Sequence, residues 1–329
     1  MKKIKVKILG TSNGIINGGY ANHLANHAGI EVLQNLSIGS SHPTVIAHAL
    51  SRNDPGKNED FLILDVCVNE QRALSKNRYD QSISEHMFLY YLSHCEKYQT
   101  RPFVLLLPVM GKKNAFLTEA LAHWKALCHK YFVAYLDVAM LAGQHDNLKT
   151  LWKDANHPSI DFSQDIASSI VESLTELDSG SSSSTGPLQT RSFDLIELAG
   201  GAPVDRKTKL LRVGFQAYKE GETFIIRGRS DFRLLGFSLD MAHTHAALKL
   251  VGDNEVYQRF DNNFYDETKA LRYVSWSILA PVYSKSCQVE VTVIKPVKSR
   301  QYMLNDHTAV EPADRNVIAE LESALILYV

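Results

Sequence analysis

Residues 4–14 read Ile-Lys-Val-Lys-Ile-Leu-Gly-Thr-Ser-Asn-Gly, an apolar run that stops at a polar turn bounded by Gly10 and Gly14. Ile4, Val6 and Ile8 alternate with Lys5 and Lys7, which is the period of a β-strand. A secretory leader would need a continuous apolar core where these lysines sit. No run of about 18 apolar residues occurs elsewhere, so no integral membrane segment is expected and the location implied is cytoplasmic.

Working outward, four more short apolar runs follow at 32–36, 61–66, 103–107 and 132–136, the pattern of strands buried on both faces. Helical patterns lie between and after them at 44–50, 83–98, 116–130 and 162–177. The last sets Phe162, Ile166, Ile170, Leu174 and Leu177 along one stripe. Five βα units in succession predict an α/β domain with a parallel five-stranded sheet covered on both sides, and function where the strands end.

The stretch 178–187, Asp-Ser-Gly-Ser-Ser-Ser-Ser-Thr-Gly-Pro, has too little apolar surface to bury and predicts a flexible connector. The chain therefore divides into a domain at 1–177, a linker at 178–190 and a second domain at 191–329. Beyond the linker the period changes to two. Val213/Phe215/Ala217, Leu235/Phe237/Leu239, Val274/Trp276/Ile278 and Cys287/Val289/Val291/Val293 predict half-buried antiparallel strands and a β-sandwich. The aromatic side chains Phe215, Phe237, Tyr257, Phe260, Tyr265 and Trp276 are expected in its core, with stacking on sugar rings as the alternative.

Composition excludes more than it assigns. A formal net charge of -1, with 45% apolar and 22% charged residues, gives no electrostatic reason to expect nucleic acid. The four cysteines, Cys67, Cys95, Cys128 and Cys287, have no CxxC spacing and read as free thiols. The turn at 10–14 lacks the lysine of a phosphate loop and the GxGxxG spacing of a dinucleotide site. His243-Thr-His245 could offer two imidazoles to a cation, but with no carboxylate or cysteine at ligand spacing no metal site is expected.

Chemistry collects at the predicted strand ends. Strand one runs into Gly10-Thr11-Ser12-Asn13-Gly14, strand two into Ser37-Ile38-Gly39-Ser40, and strand three into Asp65-Val66-Cys67-Val68-Asn69-Glu70. Before the last helix comes Asp154-Ala155-Asn156-His157-Pro158-Ser159, which places a carboxylate and an imidazole three residues apart on a loop. A serine hydroxyl becomes nucleophilic when an imidazole takes its proton, and the imidazole works better when a carboxylate fixes its tautomer.

Over roughly the first 177 residues these four blocks resemble those of the SGNH, or GDSL-type, hydrolase family. The resemblance implies a flavodoxin-like three-layer α/β/α fold. It implies Ser12 as nucleophile with Asp154 and His157 as partners, and an oxyanion hole formed by the Ser12 and Gly39 N–H groups and the Asn69 amide. Two positions depart from the family pattern: Thr11 stands for the block-one aspartate, and Cys67-Val68-Asn69-Glu70 stands for GxND. A missing glycine at 67 matters where the backbone needs a conformation other residues adopt only with strain. Gly39 can also be read as a simple turn glycine, and Asn69 as the N-cap of a following helix.

SGNH-type domains joined to a β-sandwich resemble carbohydrate esterases and polysaccharide O-acetyltransferases. The function implied is serine-dependent acyl transfer on an ester, an O-acetyl esterase or O-acetyltransferase with a carbohydrate or polysaccharide substrate. Hydrolysis needs no cofactor; a transferase would draw on acetyl-CoA. The rival is a non-catalytic glycan- or protein-binding scaffold that retains a hydrolase fold.

Overall fold

The computed structural model describes residues 2–52, 59–74, 80–111, 115–145, 147–179, 192–208, 211–260, 266, 268–296, 303–304 and 316–329. The chain forms two compact units: Met1–Ser41, Ala49–Leu74 and Ser84–Thr190 in the first, His42–His48, Ser75–Ile83 and Arg191–Val329 in the second. A division read along the chain is linear, whereas these contacts are not. Residues 180–190 of the expected linker lie outside the described residues. Asp178, at its start, still belongs to a helix, where Arg101 pairs with its carboxylate and donates to the Leu177 carbonyl at 3.0 Å.

The first unit contains strands β1 (Ile4–Leu9), β2 (Ile30–Asn35), β3 (Phe61–Val66) and β4 (Arg101–Leu106), a short pair β5 (Val109–Met110) and β6 (Phe116–Leu117), and β7 (Ala134–Asp137). Its main sheet runs β2-β1-β3-β4-β7 with every pairing parallel. This is the flavodoxin-like order, in which the chain leaves β1 for one edge and returns to its other side. Ligand sites in such sheets open beyond the carboxyl ends of the strands at that reversal.

Every residue of β3 is buried, as expected of a strand covered on both faces, but β2 at the edge alternates and β7 is mostly half-buried. Edge strands lack a neighbour on one side, which accounts for the difference. Residues 116–117, expected to begin a helix, pair as β6 instead. Phe132, expected in a strand, is 85% exposed with φ of 54°, so β7 starts only at Ala134.

Helices α1 (Tyr20–Ala25), α2 (Val45–Arg52), α3 (Val68–Leu74), α4 (Ser82–Tyr98), α5 (Glu119–Lys130), α6 (Val138–Ala142), α7 (Leu148–Leu151) and α8 (Ile160–Ser179) complete this part of the chain. The stripe on α8 packs as its spacing predicts: Phe162, Ile166, Ile170 and Leu174 are fully buried, while Leu177 stays partly exposed. Phe162 lies 5.2 Å from Trp152, whose ring is 5.0 Å from Phe116. This aromatic group underlies the loop at 152–159.

The second unit contains β8 (Phe193–Glu197), β9 (Ala202–Lys207), β10 (Arg212–Lys219), β11 (Thr223–Arg227), β12 (Phe232–Asp240), β13 (Ala247–Val251), β14 (Glu255–Arg259), β15 (Tyr273–Ser284), β16 (Gln288–Ile294), β17 (Met303–Leu304) and β18 (Ile318–Tyr328). One sheet is ordered β15-β12-β18-β10-β9, with β8 also on β18; the other is β11-β16-β13-β14-β17. Phe237, Trp276 and Ile326 from the first share one core with Leu248, Leu250 and Val291 from the second, so the unit is a two-sheet sandwich.

Half-burial fails for β12, which is buried along its whole length. The reverse face of its sheet carries small hydroxyl side chains that bond the stretch His42–His48. His42 Nδ1 lies 2.7 Å from Ser277 Oγ, Ser275 donates to Thr44 Oγ1 at 2.9 Å, and His48 Nδ1 lies 3.2 Å from Ser323 Oγ. Phe215, Phe237, Phe260 and Trp276 are buried in this unit, Tyr257 is half-buried with its hydroxyl on Glu255, and Tyr265 lies outside the described residues. Cys67, Cys95, Cys128 and Cys287 are free thiols, and among the described residues no helix is long and apolar enough to cross a membrane.

Truncating Phe162 removes a fully buried ring from under the 152–159 loop. Phe162→Ala should destabilise the first unit by about 3–5 kcal/mol, read as a lower denaturation midpoint in urea.

Candidate active site

Ser12 opens a single 3₁₀ turn, Ser12–Gly14, directly beyond β1. Thr11 caps that turn, its Oγ1 accepting the Asn13 N–H at 3.3 Å. Gly10 is required by closeness: a Cβ there would fall 2.5 Å from the Asp65 Cβ at the end of β3. The turn that carries Ser12 is thus laid against the neighbouring strand.

The loop after α7 is pinned at several points. Trp152 and Pro158 form an antiparallel bridge, Lys153 N–H donates to the His157 carbonyl at 2.9 Å, and Met110 N–H donates to the Ala155 carbonyl at 2.8 Å. Asp154 Oδ1 accepts the N–H groups of Asn156 at 2.8 Å and His157 at 3.1 Å. The carboxylate that faces the imidazole is therefore oriented by its own loop.

These two segments meet. Ser12 Oγ lies 3.0 Å from His157 Nε2, and His157 Nδ1 lies 2.9 Å from each oxygen of Asp154. A carboxylate can only accept, so Nδ1 carries the hydrogen and Nε2 is left to receive the serine proton. Partial burial works to raise the Asp154 carboxyl, but the Asn156 N–H and the His157 ring outweigh it and hold the group below its ordinary value. The Asp154 side chain is 49% exposed and His157 22%, so the pair is open to solvent.

Gly39 lies against Ser12, the direction of its missing Cβ ending 3.4 Å from Ser12 Cβ. Among the described residues neither the Ser12 N–H nor the Gly39 N–H is taken up by a hydrogen bond. Asn69 is the second residue of α3 and not its cap; its Nδ2 donates to the Ser41 carbonyl at 2.7 Å, which leaves the second amide hydrogen. The glycine missing from block three has a visible consequence, since Cys67 holds φ of 90° in the region that favours glycine.

Two further acids, given no role from the sequence, sit buried beneath these turns. Burial pushes Asp65 up to about 7 against the bonds it accepts from Thr11 and Tyr20. Burial likewise pushes Glu70 up to about 7, offset in part by the backbone N–H groups of Glu70, Cys67 and Asn69 and by Trp124, whose Nε1 donates at 3.2 Å. The signal was present in the sequence. A single carboxylate inside Phe-Leu-Ile-Leu-Asp-Val is costly to bury and rarely found in a strand that is apolar on both faces.

In the second unit the sequence suggested no carboxylate near His243, and this is corrected. Asp240 precedes it by three residues with Oδ2 at 2.7 Å from His243 Nδ1, and Glu320 completes a buried group whose atoms lie within 4.8 Å of one another. Arg206 donates to both Glu320 oxygens, at 3.0 and 2.6 Å, and supplies the positive charge there.

No protein-family model matches the chain, and no curated protein matches it. Solved structures do. A two-domain esterase active on acetylated mannans, co-crystallised with mannopentaose, superposes with a TM-score of 0.64 at 15% identity over 99% of this chain and 91% of that one. Another structure of a two-domain esterase active on acetylated mannans gives 0.63 at 15% identity, covering 99% and 92%. A member of the lipolytic G-D-S-L family from Veillonella parvula DSM 2008 gives 0.42 at 12% identity, covering 53% of this chain and 99% of that chain. In fold, the chain is a flavodoxin-like α/β/α unit followed by an antiparallel β unit, and it shares this two-part fold with the mannan-active structure.

Asp65 and Glu70 are raised above their unfolded values, so the folded chain binds more protons than the unfolded one between about pH 4 and 7. Stability is fullest below that window and falls as pH rises through it. The urea midpoint should be higher near pH 5 than near pH 8, and Glu70→Gln should reduce the difference to the part that Asp65 contributes.

Proposed function

We propose that this chain is a serine esterase that removes O-acetyl groups from an acetylated carbohydrate. The observation that carries the proposal is the unbroken contact from Ser12 Oγ through His157 to Asp154. In this mechanism Ser12 Oγ attacks the acetyl carbonyl carbon while its proton passes to His157 Nε2. Asp154, held as an anion, stabilises the imidazolium that forms. The negative charge on the carbonyl oxygen is met by the Ser12 and Gly39 N–H groups and the remaining Asn69 amide hydrogen, donors fixed before the reaction begins.

Collapse of the tetrahedral species expels the sugar oxygen, which takes the proton back from His157. The acetyl group now sits on Ser12 as an ester. Water, activated by the same imidazole, then attacks it, and acetate leaves with Ser12 restored. The exposure of His157 and Asp154 supports water as the acceptor. A carbohydrate substrate is supported by the fold likeness to the mannan-active esterase over nearly the whole chain.

Acetate release from an acetylated mannan or xylan tests this directly. Ser12→Ala should lower kcat by at least about a thousandfold, and adding acetyl-CoA with a deacetylated acceptor should change nothing. Full turnover by Ser12→Ala removes the nucleophile; consumption of acetyl-CoA only with acceptor present replaces the esterase by a transferase.

A further inference from the structure

We propose that Asp65 is the positioning residue of the nucleophile turn: acting through Thr11, it fixes the direction in which Ser12 presents its N–H and its hydroxyl. This rests on the esterase mechanism above and adds a residue that the mechanism does not itself use. Asp65 is buried near the carboxyl end of β3, and its Oδ2 accepts three donors: the Thr11 N–H at 3.3 Å, the Thr11 hydroxyl at 3.0 Å and the Tyr20 hydroxyl at 3.2 Å. The Thr11 hydroxyl also reaches Oδ1 at 3.2 Å.

Donor counting makes Thr11 the hinge of this arrangement. A hydroxyl has one hydrogen, and the Asp65 carboxylate takes it. Both lone pairs of the Thr11 oxygen are then turned toward Asn13, whose N–H and Nδ2 each lie 3.3 Å away. The cap on the Ser12–Gly14 turn therefore exists in this orientation because Asp65 sets it. Ser12 lies between the two anchored residues, with a peptide group on each side held from beneath.

The cost of this carboxylate argues that it does more than fill space. Burial pushes Asp65 up to about 7, and an apolar residue would continue the strand without that penalty. Thr11 is the residue of the turn whose hydroxyl reaches down to Asp65. Gly10 lets the end of β1 approach closely enough for both bonds.

Asp65→Asn keeps the shape and removes the charge; Thr11→Val keeps the shape and removes the hydroxyl; Thr11→Ser restores it. Each of the first two should lower kcat about 10- to 100-fold, slow fluorophosphonate labelling of Ser12 in proportion and leave KM within about twofold. Thr11→Ser should stay near the parent, and the Asp65→Asn, Thr11→Val pair should cost no more than the worse single change. A purely structural role would lower the melting temperature while kcat per folded molecule stayed unchanged, and that result overturns the proposal. If Asp65→Asn does not fold, Thr11→Val with an unchanged kcat and labelling rate is decisive against it. An active Ser12→Ala would instead sink the esterase mechanism, so the two failures are distinguishable.

Discussion

A single hydrogen bond joins side chains 145 residues apart, Ser12 Oγ to His157 Nε2, and most of the first unit can be understood as what holds its two ends still. A serine hydroxyl and an imidazole that met only occasionally would gain little, because the benefit of such a pair comes from having its geometry fixed in advance. One end is fixed by β1, a strand in the interior of a parallel sheet whose last four residues are buried. The other rests on Trp152 and Phe162, with backbone bonds tying the loop to Leu151 and Met110.

Three carboxylates near these turns illustrate how environment divides one functional group into different uses. Asp154 stands half in solvent beside donors and is held low. Asp65 and Glu70 are buried near the carboxyl ends of the strands and are pushed up by the loss of water. The contrast shows how surroundings drive the affinities of like groups for a proton apart. The buried pair also sits close to the Thr11 cap and to the positive-φ residue Cys67.

The second unit solves a different problem. Its sandwich core is the ordinary interior of two facing sheets, yet the larger sheet is also covered behind, where serines take the place of large apolar side chains. Small hydroxyl residues on that face allow close approach and supply bonds to His42, Thr44 and His48. This explains why alternation in β12 could be seen in the sequence while the burial of both its faces could not.

Periodicity and order along the chain determined the α/β unit, its five parallel strands and the α8 stripe, because each depends on neighbours within one element. The blocks carrying Ser12, Gly39, Asn69, Asp154 and His157 were legible for the same reason: each ends a strand or precedes a helix. Element edges depart from the sequence pattern at Phe132 and Phe116, where apolar residues serve a turn and a short strand pair. The central strand β18 went unmarked because its place between β12 and β10 comes from remote pairing. Only the tertiary structure decided that Asp65 lies under Thr11, that Cys67 takes a glycine's backbone, and that Asp240 and Glu320 gather at His243. Those facts depend on distances between segments far apart in the chain, and such distances are set by packing once the whole sheet has closed, not by any local pattern of residues.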